Sequence, residues 1–212
     1  MLDNKGFNIW AETYNNSVKI SDEKNVYPFA GYEKLMNTIL NNILDNKKSS
    51  VLDIGIGTGI LSTELHKNGY MITGIDFSEE MIKICKTKMP FARLIQYDFT
   101  NGLPKELENE KYDYIISTYA MHHLEDNKKI ILIKKLTKIL DDNGSIIVGD
   151  IGFQTKKQFD ECKSLYNNEW DDEEYYFVYD EIKNKFTDEY TISYNQISIC
   201  AGIIVIKKTN KI

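Results

Sequence analysis

Cysteine and arginine are scarce in this chain of 212 residues, and long apolar runs are missing altogether. The three cysteines, Cys85, Cys162 and Cys200, are odd in number and far apart. That spacing excludes a disulfide framework and a CxxC metal site and leaves them as reduced filler, so no metal is expected. Arg93 is the single arginine, so the basic face that phosphate-backbone recognition needs is absent, and DNA and RNA are not expected partners. The longest apolar stretch, Ile199 to Ile206, has eight residues, against the roughly 20 that a spanning helix requires. No membrane span is expected. The opening MLDNKGFNIWAETY shows no apolar run between a basic start and a small-residue cleavage site. No secretory signal is read there, and a cytoplasmic location is the expectation.

What is present is the composition of a soluble globular chain, 42% hydrophobic and 27% charged, with the length of one domain carrying a lid. The net charge of -6 is local: residues 151–190 hold 11 Asp/Glu against 5 Lys/Arg, while the two signs cancel over the rest.

Between residues 50 and 150 short β-rich runs alternate with amphipathic stretches, the mark of βαβ units with a parallel sheet. Strands are expected at 50–54, 70–75, 93–97, 112–117 and 145–150, with helices at about 58–68, 79–89 and 126–140. The last helix sets Ile130, Ile133, Leu136, Thr137 and Leu140 on one stripe opposite lysines, and Asn143-Gly144 reads as its stop. Two helical segments precede the core at 4–17 and 28–45, the second opening at Pro28. Two further β-rich runs, 190–194 and 198–207, joined by Asn195-Gln196-Ile197, form a terminal antiparallel hairpin.

The sharpest motif is Val51-Leu52-Asp53-Ile54-Gly55-Ile56-Gly57-Thr58-Gly59-Ile60, placed after a strand and before a helix. Glycines there let the backbone turn tightly and approach a ligand, and the helix start offers free N–H groups. Ile60 stands where a dinucleotide fingerprint wants glycine. Farther on, Gly74-Ile75-Asp76 ends a strand with a carboxylate able to accept both hydroxyls of a ribose; the competing reading is a helix cap before Ser78-Glu79-Glu80. Gln96-Tyr97-Asp98-Phe99 ends the next strand, where Asp98 can accept an adenine amino group with Phe99 against the ring. The alternative is a turn before Asn101-Gly102.

In order and spacing, VLDIGIGTG, GIDFSEEM, QYDF and YDYIISTYAMHHL resemble the class I S-adenosylmethionine-dependent methyltransferases, over roughly residues 8–206. The nearest resemblance is to small bacterial members with WAETY and TYAxHHL segments. It implies an α/β, Rossmann-like, seven-stranded mixed sheet in the order 3-2-1-4-5-7-6, last strand antiparallel, with helices on both faces and a small cap. It further implies a single domain over 1–212, with a helical cover at 1–48, a cofactor core at 49–150, a substrate cap at 151–190 and a hairpin at 190–207. Carried over by position, Gly55 and Gly57 would line the methionine moiety of S-adenosylmethionine, Asp76 would bind the ribose, and Asp98 with Phe99 would bind the adenine. Asp53 would brace the loop, Phe77 and Ser117 complete the cofactor set, and Tyr14 with Trp10 would fold over it. S-adenosylhomocysteine is the implied product.

Methyl transfer from a sulfonium is an in-line displacement that needs alignment, exclusion of water and, where required, a proton acceptor. The sheet edge after the fourth strand supplies Tyr119, His122 and His123 as candidate catalytic residues, with Asp150 at the end of the fifth strand beside them. A ring tied to backbone is the alternative for either histidine. The segment 151–190 interleaves Tyr166, Trp170, Tyr175, Tyr176, Phe177 and Tyr179 with Asp171, Asp172, Glu173 and Glu174. Such a wall suits an amine or another cation, and a solvated acidic face with a buried aromatic stripe is the alternative. The expectation is an S-adenosylmethionine-dependent methyltransferase for a small-molecule acceptor, monomeric or homodimeric. A non-catalytic S-adenosylmethionine sensor and, less compatibly with Ile60, a nicotinamide dehydrogenase are the competing readings.

Overall fold

A computed structural model describes residues 18–45, 49–186 and 188–209. One mixed sheet forms the frame. Its strands are β1 (Ser50–Ile54), β2 (Met71–Asp76), β3 (Arg93–Gln96), β4 (Tyr112–Thr118), β5 (Leu140–Phe153), β6 (Phe177–Val178), β7 (Tyr190–Gln196) and β8 (Ala201–Lys208). The order is β3-β2-β1-β4-β5-β8-β7, and the two-residue β6 pairs with the end of β5. The pairs β1–β2, β1–β4, β2–β3 and β4–β5 are parallel, whereas β8 runs antiparallel to both β5 and β7. This is the expected sheet, with one short strand added ahead of the hairpin.

Residues 18–23 are helical where the described chain begins, and the helix expected at 4–17 lies outside the described residues. The helices after it are α1 (Tyr32–Leu44), α2 (Ile60–Lys67), α3 (Glu79–Lys88), α4 (Asp126–Leu136), α5 (Lys156–Leu165) and the single turn α6 (Tyr179–Ile182). Alternation along the strands divides the core between two faces. In β5, Ile147 joins the layer beneath α1 and α2, built on Leu35, Ile39, Ile43, Leu61 and Leu65. Its neighbours Ile146 and Val148 join the opposite layer, under Leu132, Ile133 and Leu136 of α4. The central parallel strands β1 and β2 are buried on both faces, as the covering helices require, whereas the edge strand β3 is partly exposed.

Several expected boundaries move, and the strand expected at 145–150 runs from Leu140 to Phe153. The fourth helix ends at Leu136 rather than 140, because Leu140 already pairs with Tyr112. Asn143-Gly144 is therefore no helix stop: it sits in a bulge of β5, where the register jumps from Tyr112↔Leu140 to Tyr114↔Ser145. Pro28 does not open α1, which starts at Tyr32 behind Gly31. The stretch before it is a turn closed by Tyr32 N–H on Phe29 O, and Ser198 Oγ donates to Ala30 O. The hairpin link shifts to 197–200, where Ile197 N–H and Ser198 N–H both donate to Ala201 O.

Candidate active site

The carboxyl ends of β1, β2 and β4, with the turns after them, surround a cavity of about 450 Å³. One end is the glycine loop. Gly55 and Ile56 donate their N–H groups to Ile75 O at 2.9 and 3.0 Å, which ties the loop to β2. Gly55 has φ +71°, and a Cβ there would lie 2.6 Å from the Ala120 side chain, so only glycine fits. Gly57, with φ +54°, faces open space: a Cβ would meet nothing within 4 Å. It is where a ligand can approach the backbone.

Asp76 is buried at this end, with Oδ2 accepting from Gly57 N at 2.9 Å and Oδ1 accepting from Ser78 N at 2.9 Å. Burial raises its pKa against the opposing pull of these N–H groups. Each carboxylate oxygen keeps acceptor capacity for a hydroxyl. Asp53 is also buried, its Oδ2 accepting from Ser62 Oγ at 2.6 Å, so it braces the loop against α2. Its Oδ1 has no hydrogen-bond partner among the described residues. Burial, with Asp76 adding repulsion, pushes Asp53 up to about 7. An orphaned carboxylate oxygen lining a cavity fits a ligand that carries an ammonium or sulfonium group.

The other expected cofactor residues divide. Phe77 and Phe99 line the cavity. Asp98 does not: it is exposed, and it accepts from Thr100 N at 2.9 Å and Asn101 Nδ2 at 3.2 Å, which is the turn-forming alternative. Ser117 is buried with its Oγ donating to Ile54 O at 2.9 Å, and Thr118 takes the lining position one residue later. Tyr14 and Trp10 lie outside the described residues.

The opposite wall holds the three candidate catalytic residues together. Tyr119, at φ +49°, turns the chain out of β4 and packs against Phe29 and Tyr32, with ring centroids 5.3 and 5.1 Å away. The 3₁₀ turn Met121–His123 follows. His122 Nδ1 sits 2.6 Å from Asp150 Oδ1, and the same carboxylate accepts His122 N at 3.1 Å and Ile151 N at 2.8 Å. Burial alone would lower the His122 pKa, but the Asp150 charge and hydrogen bond, with Glu174 behind them, outweigh it and hold it above the ordinary value. Burial opposes ionisation of Asp150, yet His122 draws its pKa below the carboxylate range, so the two stand as an ion pair. His123 is neutral, because burial and the neighbouring His122 push it down to about 3.

Glu174 completes this wall, with Oε1 at 3.6 Å from His122 Nε2 and 4.0 Å from His123 Nδ1. Its Oε2 accepts from Tyr176 OH at 2.8 Å, and Tyr176 OH is bonded in turn to Tyr27 OH. Tyr175 N–H donates to His122 O at 2.8 Å, and buried Lys129 donates to Tyr175 O. The sequence shows Glu174 only as one member of an acidic run. Its signal is that it stands immediately before Tyr175-Tyr176-Phe177-Val178, where the polar run turns apolar. Tyr27 and Tyr32, both lining residues, carried no motif at all.

A parallel α/β sheet with a glycine loop after β1, an acid after β2 and an antiparallel final strand has the architecture of the class I methyltransferases. Residues 51–144 match the family model described as a methyltransferase domain. An uncharacterized methyltransferase of Oceanobacillus iheyensis is 32% identical over 212 residues, covering 95% of each chain. One of Anoxybacillus flavithermus is 35% identical over 154 residues, covering 73% of this chain and 69% of that one. The chain belongs to the methyltransferase family, with the fold of its class I S-adenosylmethionine-dependent members. Among solved structures, the magnesium protoporphyrin IX methyltransferase of Synechocystis with bound SAH superposes with a TM-score of 0.69 at 18% identity, covering 85% of each chain. The DhpI–SAH complex gives 0.67 at 14% identity, covering 98% and 96%. No helix among the described residues is long and apolar enough to cross a membrane.

Proposed function

We propose that this chain transfers the methyl group of S-adenosylmethionine to a small-molecule acceptor inside the cavity. The observation that carries this reading is the layout of the cavity: a glycine cradle with Asp53, Asp76 and Phe99 at one end, and a wall of His122, His123 and Glu174 at the other. When bound, the cofactor supplies an electrophilic methyl group. Gly55 and Gly57 give its methionine part close approach to the backbone, Asp53 Oδ1 receives the ammonium, and Asp76 receives the ribose hydroxyls. Phe77 and Phe99 provide apolar surface for the adenine. Tyr27, Phe29, Tyr32 and Tyr119 shield the space between the two ends from water, which an in-line displacement requires.

The acceptor's nucleophilic atom then sits toward the histidine wall. The Glu174 carboxylate is the group there able to accept its proton, since His123, pushed down to about 3, is too weak a base, and the Asp150–His122 ion pair fixes the wall. The segment 151–190 serves as the substrate cap, through Ile151, Glu169, Asp171, Glu173 and Glu174. The test is release of S-adenosylhomocysteine when the protein is incubated with S-adenosylmethionine and a library of small amines, thiols, phenols and acids. At least one acceptor should raise release well above background. Tight cofactor binding with no acceptor-dependent turnover would favour the sensor reading.

A further inference from the structure

We propose that His122, His123 and Glu174 form a binding site for a divalent transition-metal ion of the zinc class. One donor atom from each residue lies within 4.8 Å of one from each of the others, and Glu174 Oε1 stands 3.6 Å from His122 Nε2 and 4.0 Å from His123 Nδ1. Zinc bonds of about 2.0–2.1 Å to nitrogen or oxygen place tetrahedral ligands roughly 3.4 Å apart. The two distances to Glu174 exceed this by about 0.2 and 0.6 Å, and the ligand atoms draw together on binding. Two imidazoles and one carboxylate are a borderline donor set, which suits zinc and its first-row neighbours better than calcium or magnesium.

The surroundings match what metal-binding histidines require. Asp150 Oδ1 holds His122 Nδ1 at 2.6 Å, which leaves Nε2 pointing at Glu174. That is the carboxylate–histidine arrangement by which outer residues orient a ligand ring, and metal binding would release the Nε2 proton to solvent. Tyr176 OH occupies Glu174 Oε2 and so aims Oε1 at the two rings. The backbone bond from Tyr175 N–H to His122 O fixes the Glu174 segment against the histidine turn. All three ligands line the cavity, so the remaining coordination position opens into the chamber assigned to the acceptor. With the metal bound, His123 and Glu174 act as ligands rather than proton acceptors, and a thiol or hydroxyl bound there would lose its proton to solvent and present an anionic nucleophile. An imidazolium bridging Asp150 and Glu174 would account for His122 without a metal.

The site itself is tested without the methyl donor. Untagged protein is stripped with a chelator, equilibrated with zinc chloride, desalted and analysed for metal, and the same protein is titrated with cobalt(II) while its visible spectrum is followed. The expected result is about one equivalent of retained zinc, with the intense visible absorption of low-coordinate cobalt(II). Both should be lost in His123→Ala and Glu174→Gln. Asp150→Asn should weaken binding about 10- to 100-fold, while Asp172→Asn, whose side chain pairs with Lys163, should leave it unchanged. Circular dichroism and S-adenosylhomocysteine binding identify any variant that fails to fold, and a ligand variant that folds must lose the metal. No retained zinc, or retention indifferent to His123→Ala and Glu174→Gln, overturns the proposal and leaves the methyl-transfer reading intact.

Discussion

At the scale of single residues, two carboxylates at the glycine loop have different work to do. Asp76 already accepts two backbone N–H groups, and the ribose would add its hydroxyls to the same oxygens. Asp76→Ala is therefore expected to weaken S-adenosylmethionine binding by roughly 1 to 3 kcal/mol, the cost of leaving buried polar groups unmatched, as read by calorimetry. Asp98→Ala should change binding little, since its carboxylate serves a turn. Asp53 offers a pH test on the unliganded protein. Its carboxyl is raised to about 7 in the fold, while an unfolded aspartate titrates near 3.9. The folded state thus holds an extra proton between those limits. The stability this contributes is complete below about pH 4 and is lost as pH rises through 7. Denaturant melts should show the parent chain falling relative to Asp53→Asn from pH 4 to 7 and running parallel above 8. A constant difference would mean Asp53 is ionised throughout. The place in the cavity of residues bound to a motif was legible from sequence, as Asp53, Gly55, Gly57 and Asp76 show. Thr118 rather than Ser117 lines the cavity, because only the twist of β4 decides which of the two faces it.

At the scale of elements, Lys129 explains how the segment proposed as the cap is attached. It lies on α4 with 1% of its surface exposed, bonded to Asp126 Oδ1 at 3.0 Å and to Tyr175 O, and its ammonium lies 4.7 Å from the centre of the Phe177 ring. Burial draws its pKa below the ordinary lysine value, against the pull of Asp126. Cation–π attraction and the carbonyl bond fasten the two-residue strand β6 to the sheet. Lys129→Met keeps the volume and removes the donor, so the chain should lose about 1 to 3 kcal/mol of stability. Amide exchange should quicken over residues 174–178, and unchanged exchange there would show that β6 holds without the lysine. A lysine in an amphipathic repeat reads as solvent-facing, which is why this anchor and β6 were not visible in advance. The long strands and α1 to α4 were visible because their apolar periods match their burial. The misread end of α4 has the same origin, since Ile139 and Leu140 continue a helical stripe while actually entering β5.

At the scale of the whole molecule, the charge map and the cavity converge on the acceptor. Residues 151–190 carry the entire net charge of -6, and Glu169, Asp171, Glu173 and Glu174 from that segment line the cavity. Asp172, by contrast, is turned to Lys163 at the surface. No lysine or arginine is among the described lining residues. With Asp53 and Asp76 at the other end, the potential along the chamber favours a cationic sulfonium donor and a neutral or cationic acceptor, and disfavours an anion. The rim carboxylates Asp171 and Glu173 are exposed, so their share is screened by salt over about 10 Å at 0.1 M. Matched amine, thiol and carboxylate acceptors of one carbon skeleton should therefore be turned over with the amine or thiol ahead of the acid. In a combined Glu169→Gln, Asp171→Asn, Glu173→Gln variant that margin should shrink by something on the order of tenfold, and added salt should narrow it in the parent chain but not in the variant. Glu174 is left intact in this design, so a change in selectivity is separable from loss of the proton acceptor. A carboxylate acceptor preferred by the parent chain, or selectivity indifferent to both salt and the three substitutions, would show that the cap recognises shape and that its charge serves only solubility.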